Sequence, residues 1–163
     1  MTRLEGGAVH IKREPCDVQD VIGAALLQLG ETALKRQISV VIPPDLPLVP
    51  MDSVLIAQVI VNLLDNALKY SGPGSPVEVK AQVTGEQLQV SVADCGNGIP
   101  EEDLKRVFEK FYRVSSVGTT SGTGLGLSIC KGLVEAHAGR IWMEHRQKSG
   151  TEAKFSLPFG DKT

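Results

Sequence analysis

The sequence predicts an α+β fold, a two-layer sandwich in which a mixed, mostly antiparallel sheet packs against about three helices. Three observations carry that prediction. Strand signals come as adjacent pairs joined by tight turns, not as the regular strand–helix–strand alternation of a parallel sheet. Amphipathic helix patterns lie between those pairs. The 163 residues, 42 % hydrophobic but only 4 % aromatic, suffice for one domain with an aliphatic core.

In chain order, residues 1–7 end in Gly6-Gly7 and carry little pattern. Val9 and Ile11 alternate with polar neighbours, a short strand signal. Asp17 is placed to cap a helix reaching to about residue 37, with Val18, Val21, Ile22, Ala25, Leu26 and Leu29 along one side. A strand follows over 38–42, and Pro43, Pro44, Pro47 and Pro50 keep the next stretch extended. Asp52 caps a second helix, to about residue 70. On a 3.6-residue repeat, Gln58, Asn62, Asp65, Asn66 and Lys69 form a polar stripe about 100° wide, while Ile56, Val59, Ile60, Leu63, Leu64 and Ala67 occupy the rest. Such a helix is largely buried, so its polar line faces something polar.

Strict alternation over 77–84 and 87–92, with Gly85-Glu86 between, is a hairpin with a type II′ turn, and Asp94 falls just past its second strand. A short helix is expected over 101–107. Residues 115–124 are Ser, Thr or Gly except Val117, a flexible loop. A third helix is expected over 124–137, then strands over 140–146 and 151–157 with a turn at 148–150.

Composition excludes several classes. A net charge of −2 and no Lys/Arg cluster argue against nucleic acid as a partner. No apolar run approaches the ~20 residues of a membrane span. Cys16, Cys95 and Cys130 are widely spaced, form no CxxC pair and have no His at ligand spacing. They read as reduced thiols in a cytosolic setting, not a zinc site.

The chemistry-bearing residues fall in separated groups. Asparagine carbonyls suit Mg²⁺, and Asn62 and Asn66, four apart, project side by side, with Lys69 in reach of a phosphate. Asp94-Cys95-Gly96-Asn97-Gly98 puts a carboxylate at a strand end before glycines that let a flat ring approach the backbone. A carboxylate accepts from the exocyclic amine of adenine, where guanine presents a carbonyl, although an ordinary Asp-Gly turn explains the same residues. Gly122-Thr123-Gly124-Leu125-Gly126-Leu127 opens a helix, where backbone N–H groups cradle phosphates. It fits neither a dinucleotide fingerprint, which fails at Ile129, nor a Walker A loop, which needs Gly-Lys-Ser/Thr. Phe108 and Phe111 between these groups read as an anchor or hinge for the following loop.

In this order the groups resemble the catalytic, ATP-binding domain of sensor histidine kinases. Asn62 to Ala67 resembles the N box, Asp94 to Gly98 the G1 box, Phe108 to Phe111 the F box, and Gly122 to Gly126 the G2 box. The stretch from Phe108 to Arg113, with Gly122 to Ile141, is most similar to the potassium-responsive Kdp branch. The resemblance covers roughly 15–158 and implies the Bergerat fold of Hsp90, type II topoisomerases and MutL. It implies ATP and Mg²⁺ as cofactors, with Asn66 as the metal ligand, Asn62 at the metal and phosphate end, and Lys69 on phosphate. It also implies that Tyr70 lies beside the nucleotide, that Asp94 reads the amine, and that Gly96 and Gly98 make room for the ring. Ile99, Phe108 and Gly122, Thr123, Gly124, Leu125, Gly126 and Leu127 complete the nucleotide site, with 113–123 as the lid. Ala138-Gly139 stands where the family often has Gly-Gly.

The resemblance divides the chain into 1–14, the end of a dimerisation helix and linker, 15–160, the catalytic domain, and a tail at 161–163. No credible phosphoacceptor is present: His10 sits in strand-like alternation, and His137 and His145 read as structural. The expectation is a fragment, monomeric by itself, that phosphorylates a histidine on its own upstream dimerisation domain within a homodimeric, membrane-anchored kinase serving a response regulator. A GHKL-type ATPase is the rival enzyme, but it uses a glutamate where Asn62 stands, and an amide takes no proton from water. A nucleotide-sensing module without catalysis is the other rival.

Overall fold

The computed structural model describes residues 11–71, 74–96, 108, 126–145 and 150–159. In order these form β1 (Glu14–Cys16), α1 (Val18–Leu29), α2 (Glu31–Lys35), β2 (Ile38–Val41), β3 (Val49–Met51), α3 (Ser53–Ser71), β4 (Val77–Thr84), β5 (Gln87–Asp94), α4 (Gly126–Ala136), β6 (Arg140–His145) and β7 (Thr151–Pro158). Five strands make one sheet in the order β2-β4-β5-β7-β6. β2 and β4 run parallel, and the other neighbours are antiparallel. The expected α+β sandwich is therefore what the chain forms.

The period-2 pattern sorts the sheet's faces. Val77, Val79, Ala81, Val90, Val92, Ala153, Phe155 and Leu157 are buried toward the helices. Lys80 and Gln82 lie on the opposite, exposed face, where Lys154 pairs with Glu144 at 3.1 Å. From the helix layer, Val18, Ile22, Ile56, Ile60, Leu63, Leu64, Leu133 and Val134 close the core. At about 25 cal/mol per Å² of apolar surface, each such side chain contributes roughly 1.5–3 kcal/mol. Gly85 turns the β4–β5 hairpin at φ 63°, while Glu86 keeps a negative φ. That combination fits the type II′ turn and excludes I′.

Several expectations need correction. The first helix does not run to residue 37. It ends at Gly30, whose φ of 61° and ψ of −128° suit only glycine, and α2 restarts from there. The strand signal at Val9 and Ile11 is not realised: Ile11 is outside any strand, and Val9 lies outside the described residues. The strand forms instead at Glu14–Cys16, paired antiparallel with β3. Pro15 faces Pro50 there. Two residues without an N–H can face each other only at a non-hydrogen-bonded pair, where neither loses a bond. Asp94 is the last residue of β5, paired with Val77, not a residue beyond it. The 101–107 helix and the 113–123 lid lie outside the described residues.

Both remaining caps are as expected. Asp17 accepts from the Gln19 amide at 2.9 Å, and Asp52 accepts from the Leu55 amide at 3.3 Å. Asp52 also accepts from the Lys12 amide at 3.0 Å, which ties the incoming chain to the start of α3.

Candidate nucleotide site

α3 carries the polar stripe along the edge of the helix layer. Asn66 donates from Nδ2 to the Asn62 carbonyl at 3.0 Å, one turn back. That bond fixes the amide and leaves Oδ1 as its acceptor for a ligand. The Asn62 amide is engaged at both ends. Its Oδ1 accepts from Gln58 Nε2 at 3.2 Å, and its Nδ2 donates to the carbonyl of Gly126 at 3.4 Å. Asn62 therefore ties α3 to the first residue of α4, the helix that the glycine run leads into. Lys69 forms an ion pair with Asp65 at 3.1 Å.

The end of α3 is held by Arg36. Its Nη1 donates to the Leu68 carbonyl at 3.2 Å, and its Nη2 donates to Ser71 Oγ at 3.0 Å and the Ser75 carbonyl at 3.1 Å. A cation on the last carbonyls of a helix also opposes its dipole. The turn carrying Lys69 is fixed by this clamp.

Asp94 is 5 % exposed, so its carboxylate would be costly if its bonds were missing. Its Oδ1 accepts from the Gly96 amide at 3.0 Å and from the Thr151 amide at 3.3 Å. Gly150, at φ 97°, lets β7 start against the backbone of Asp94, because a Cβ there would overlap the Asp94 carbonyl.

Asn66 and Asp94 face one cleft. α3 supplies Leu63, Asn66 and Ala67, and the sheet supplies Val92, Asp94, Met143, Thr151 and Ala153. The sequence reading missed the wall formed by Met143, Thr151 and Ala153. Alternation along 151–157 marks Thr151 and Ala153 as one face, but only the pairing of β7 with β5 brings that face to Asp94.

Other expected site residues are placed as follows. Gly96 follows Asp94, Gly126 begins α4, Leu127 is buried, and Phe108 is half-buried against the core. Tyr70 falls in the last turn of α3. Gly98, Ile99, Gly122, Thr123, Gly124 and Leu125 lie outside the described residues. Among the described residues no cluster of His, Cys, Asp or Glu could hold a metal ion. A lone Asn66 oxygen suits Mg²⁺ only as a partial ligand, with waters and phosphate oxygens completing the shell.

Neither His137 nor Cys130 lines the cleft. His137 is 2 % exposed; its Nε2 accepts from the Asp52 amide at 3.0 Å and its Nδ1 donates to the Leu133 carbonyl at 2.8 Å. Burial lowers its pKa. His145 ends β6, and His10 lies outside the described residues. Burial pushes the Cys130 thiol up to about 12, so it is inert.

The sequence profile described as histidine kinase-, DNA gyrase B-, and HSP90-like ATPase matches residues 51–161. The sensor protein KdpD of Escherichia coli K12 is 36 % identical over 158 residues, which cover 97 % of this chain and 18 % of that protein. The chain thus spans less than a fifth of that relative. A mycobacterial sensor histidine kinase, MprB, superposes with a TM-score of 0.77 at 31 % identity, over 90 % of this chain and 97 % of that one. Full-length ShkA, solved in complex with AMPPNP, superposes with a TM-score of 0.84 at 26 % identity, over 96 % of this chain and 33 % of that one.

Proposed function

The chain belongs to the histidine kinase-, DNA gyrase B-, and HSP90-like ATPase family, and from that membership we propose that it holds Mg-ATP for transfer of the γ-phosphoryl group to a histidine of a separate phosphoacceptor domain. The observation that carries the reading is the cleft shared by Asn66 and Asp94, with Lys69 one turn beyond Asn66 on α3. Adenine would sit toward Asp94 and the phosphates toward α3 and the glycine run.

Phosphoryl transfer needs positioning and charge neutralisation more than covalent chemistry. Mg²⁺ supplies charge neutralisation when bound, and Asn66 Oδ1 is the residue that would hold it. Lys69 adds a second positive charge at the phosphates, after exchanging Asp65 for them. Asp94, oriented by the Gly96 and Thr151 amides, fixes the base. The glycines Gly122, Gly124 and Gly126 give the phosphates backbone donors.

Kinase is preferred over water-directed ATPase because of Asn62. It stands where a general-base glutamate would be required, and its amide is bonded to Gln58 and Gly126. The likeness to KdpD supports a potassium-responsive, membrane-anchored sensor kinase with a response regulator as the finer reading. Residues 1–14 would then lead in from the dimerisation helix. The test supplies the phosphoacceptor domain in trans with γ-labelled ATP. Acid-labile label on its histidine is expected. Nucleotide binding without label would assign a sensing module instead.

A further inference from the structure

Gln58 does not line the cleft of Asn66 and Asp94. It stands on α3 before Asn66, about 12 Å back along the helix axis. Its side chain nevertheless begins a hydrogen-bond series that crosses to α4, the helix into which the glycine run leads.

The series can run in one direction only. Its far end is the Gly126 carbonyl, a pure acceptor, so the Asn62 group that meets it is the NH₂. The Asn62 oxygen then faces Gln58, which must offer its own NH₂. A second contact on α4 agrees. Burial raises the pKa of the Cys130 thiol, one turn along α4 from Gly126, and a hydrogen bond from the Asn62 side chain opposes the rise. Only the NH₂ can donate that bond. The two helices are also close here, since a Cβ on Gly126 would meet Asn62 Cγ at 4.0 Å.

An Asn62 amide turned over would spoil the contact with Gly126. Its oxygen would face the carbonyl, acceptor against acceptor, and the start of α4 would be pushed away from α3. What opposes that turn is the donor on the other side, Gln58.

We propose that Gln58 is a positioning residue for nucleotide binding: by donating to Asn62 Oδ1 it keeps the Asn62 NH₂ on the Gly126 carbonyl, and so sets where the start of α4 stands against α3. The inference rests on the nucleotide reading, in which the glycine run leading into α4 faces the phosphates. Position 58 then requires a hydrogen-bond donor, not merely a helix former. Gln, Lys and Glu have nearly equal helix propensities, so exchanges among them change the donor and leave the helix.

The experiment titrates Mg-ATP by calorimetry into the protein and its Gln58→Lys, Gln58→Glu, Asn62→Ala and Gln58→Glu/Asn62→Ala variants, with thermal unfolding as the control for folding. Gln58→Lys keeps a donor for Asn62 Oδ1 and is expected to bind within about twofold of the parent, or more tightly. Gln58→Glu presents only an acceptor and is expected to bind about fivefold more weakly, the scale of one hydrogen bond. Two controls separate orientation from charge. A carboxylate that turns the Asn62 amide has nothing to turn in the Asn62→Ala background, so the loss should shrink there to less than about twofold. In the single variant the loss should persist when salt is raised from about 0.15 M to about 0.5 M, which screens charge and leaves orientation. Undiminished binding by a folded Gln58→Glu would overturn the positioning role. So would equal losses in Gln58→Lys and Gln58→Glu, a loss that survives in the Asn62→Ala background, or one that salt abolishes. Each of these results would leave the nucleotide reading standing. A folded parent that binds no Mg-ATP would remove the nucleotide reading, and the positioning role with it.

Discussion

Ala138 is the residue whose backbone the sequence explains least. It has a φ of 64°, in the left-handed region, just after α4. The Gly139 amide donates back to the Val134 carbonyl at 3.0 Å, which closes the helix end in the manner of a Schellman turn. An L-residue there costs roughly 1–2 kcal/mol, and glycine's extra freedom in the unfolded chain offsets up to about 1 kcal/mol of that. Ala138→Gly should therefore stabilise the domain by about 0.5–1 kcal/mol in denaturant titrations. Its neighbour is less tolerant, since a Cβ on Gly139 would overlap the Ser156 carbonyl. The Ala-Gly pair was visible in the sequence, but which of the two takes the left-handed conformation was not.

His137 gives a second prediction at this scale. Its folded pKa is lowered because burial disfavours the charged ring; the Leu133 carbonyl and Asp52 oppose the shift, and Arg13 adds to it. The unfolded chain thus binds the proton more tightly than the folded one. This contribution is fully present above the unfolded pKa of about 6.5 and is lost as pH falls below it. Protonation also removes the acceptor for the Asp52 amide. Stability measured from pH 7.5 to 5 should fall more steeply in the parent than in His137→Gln. Parallel slopes would contradict this account of the ring.

At the scale of elements, α3 explains how the site is held. Its ends are fixed by side chains from distant parts of the chain: Asp52 and the Lys12 amide at its start, Arg36 at its finish. Arg36→Ala should cost about 2 kcal/mol, the range of a partly buried charged hydrogen-bond set. Arg36→Lys should recover only part of it, because an ammonium cannot reproduce the guanidinium fork. Chemical denaturation of both variants checks this. The helix itself was legible, because its polar stripe and apolar faces are written in a 3.6-residue period. The clamp was not, because nothing local in residues 36, 68, 71 and 75 announces their meeting. The break at Gly30 was missed for the opposite reason: apolar spacing continues across it, and only the backbone conformation ends the helix.

At the scale of the molecule, the sheet order joins motifs that the sequence keeps apart. β7 lies between β5 and β6, and this brings Thr151, Ala153 and Met143 to Asp94. Motif order groups Asn66 and Asp94 as candidates for one site, and the structure puts both on one cleft. The far wall required non-local pairing, which periodicity does not report. The proposed reading gives the two residues different work: Asn66 would serve the metal and phosphates, and Asp94 the base.

Calorimetric titration of Mg-ATP into the protein and its Asp94→Asn variant tests this division most directly. The amides of Gly96 and Thr151 would hold the variant's side-chain oxygen in the place of Oδ1, so its NH₂ would meet the adenine amine donor to donor. The account predicts at least tenfold weaker binding, about 1.4 kcal/mol, in a variant that remains folded. Undiminished affinity for Mg-ATP would contradict it.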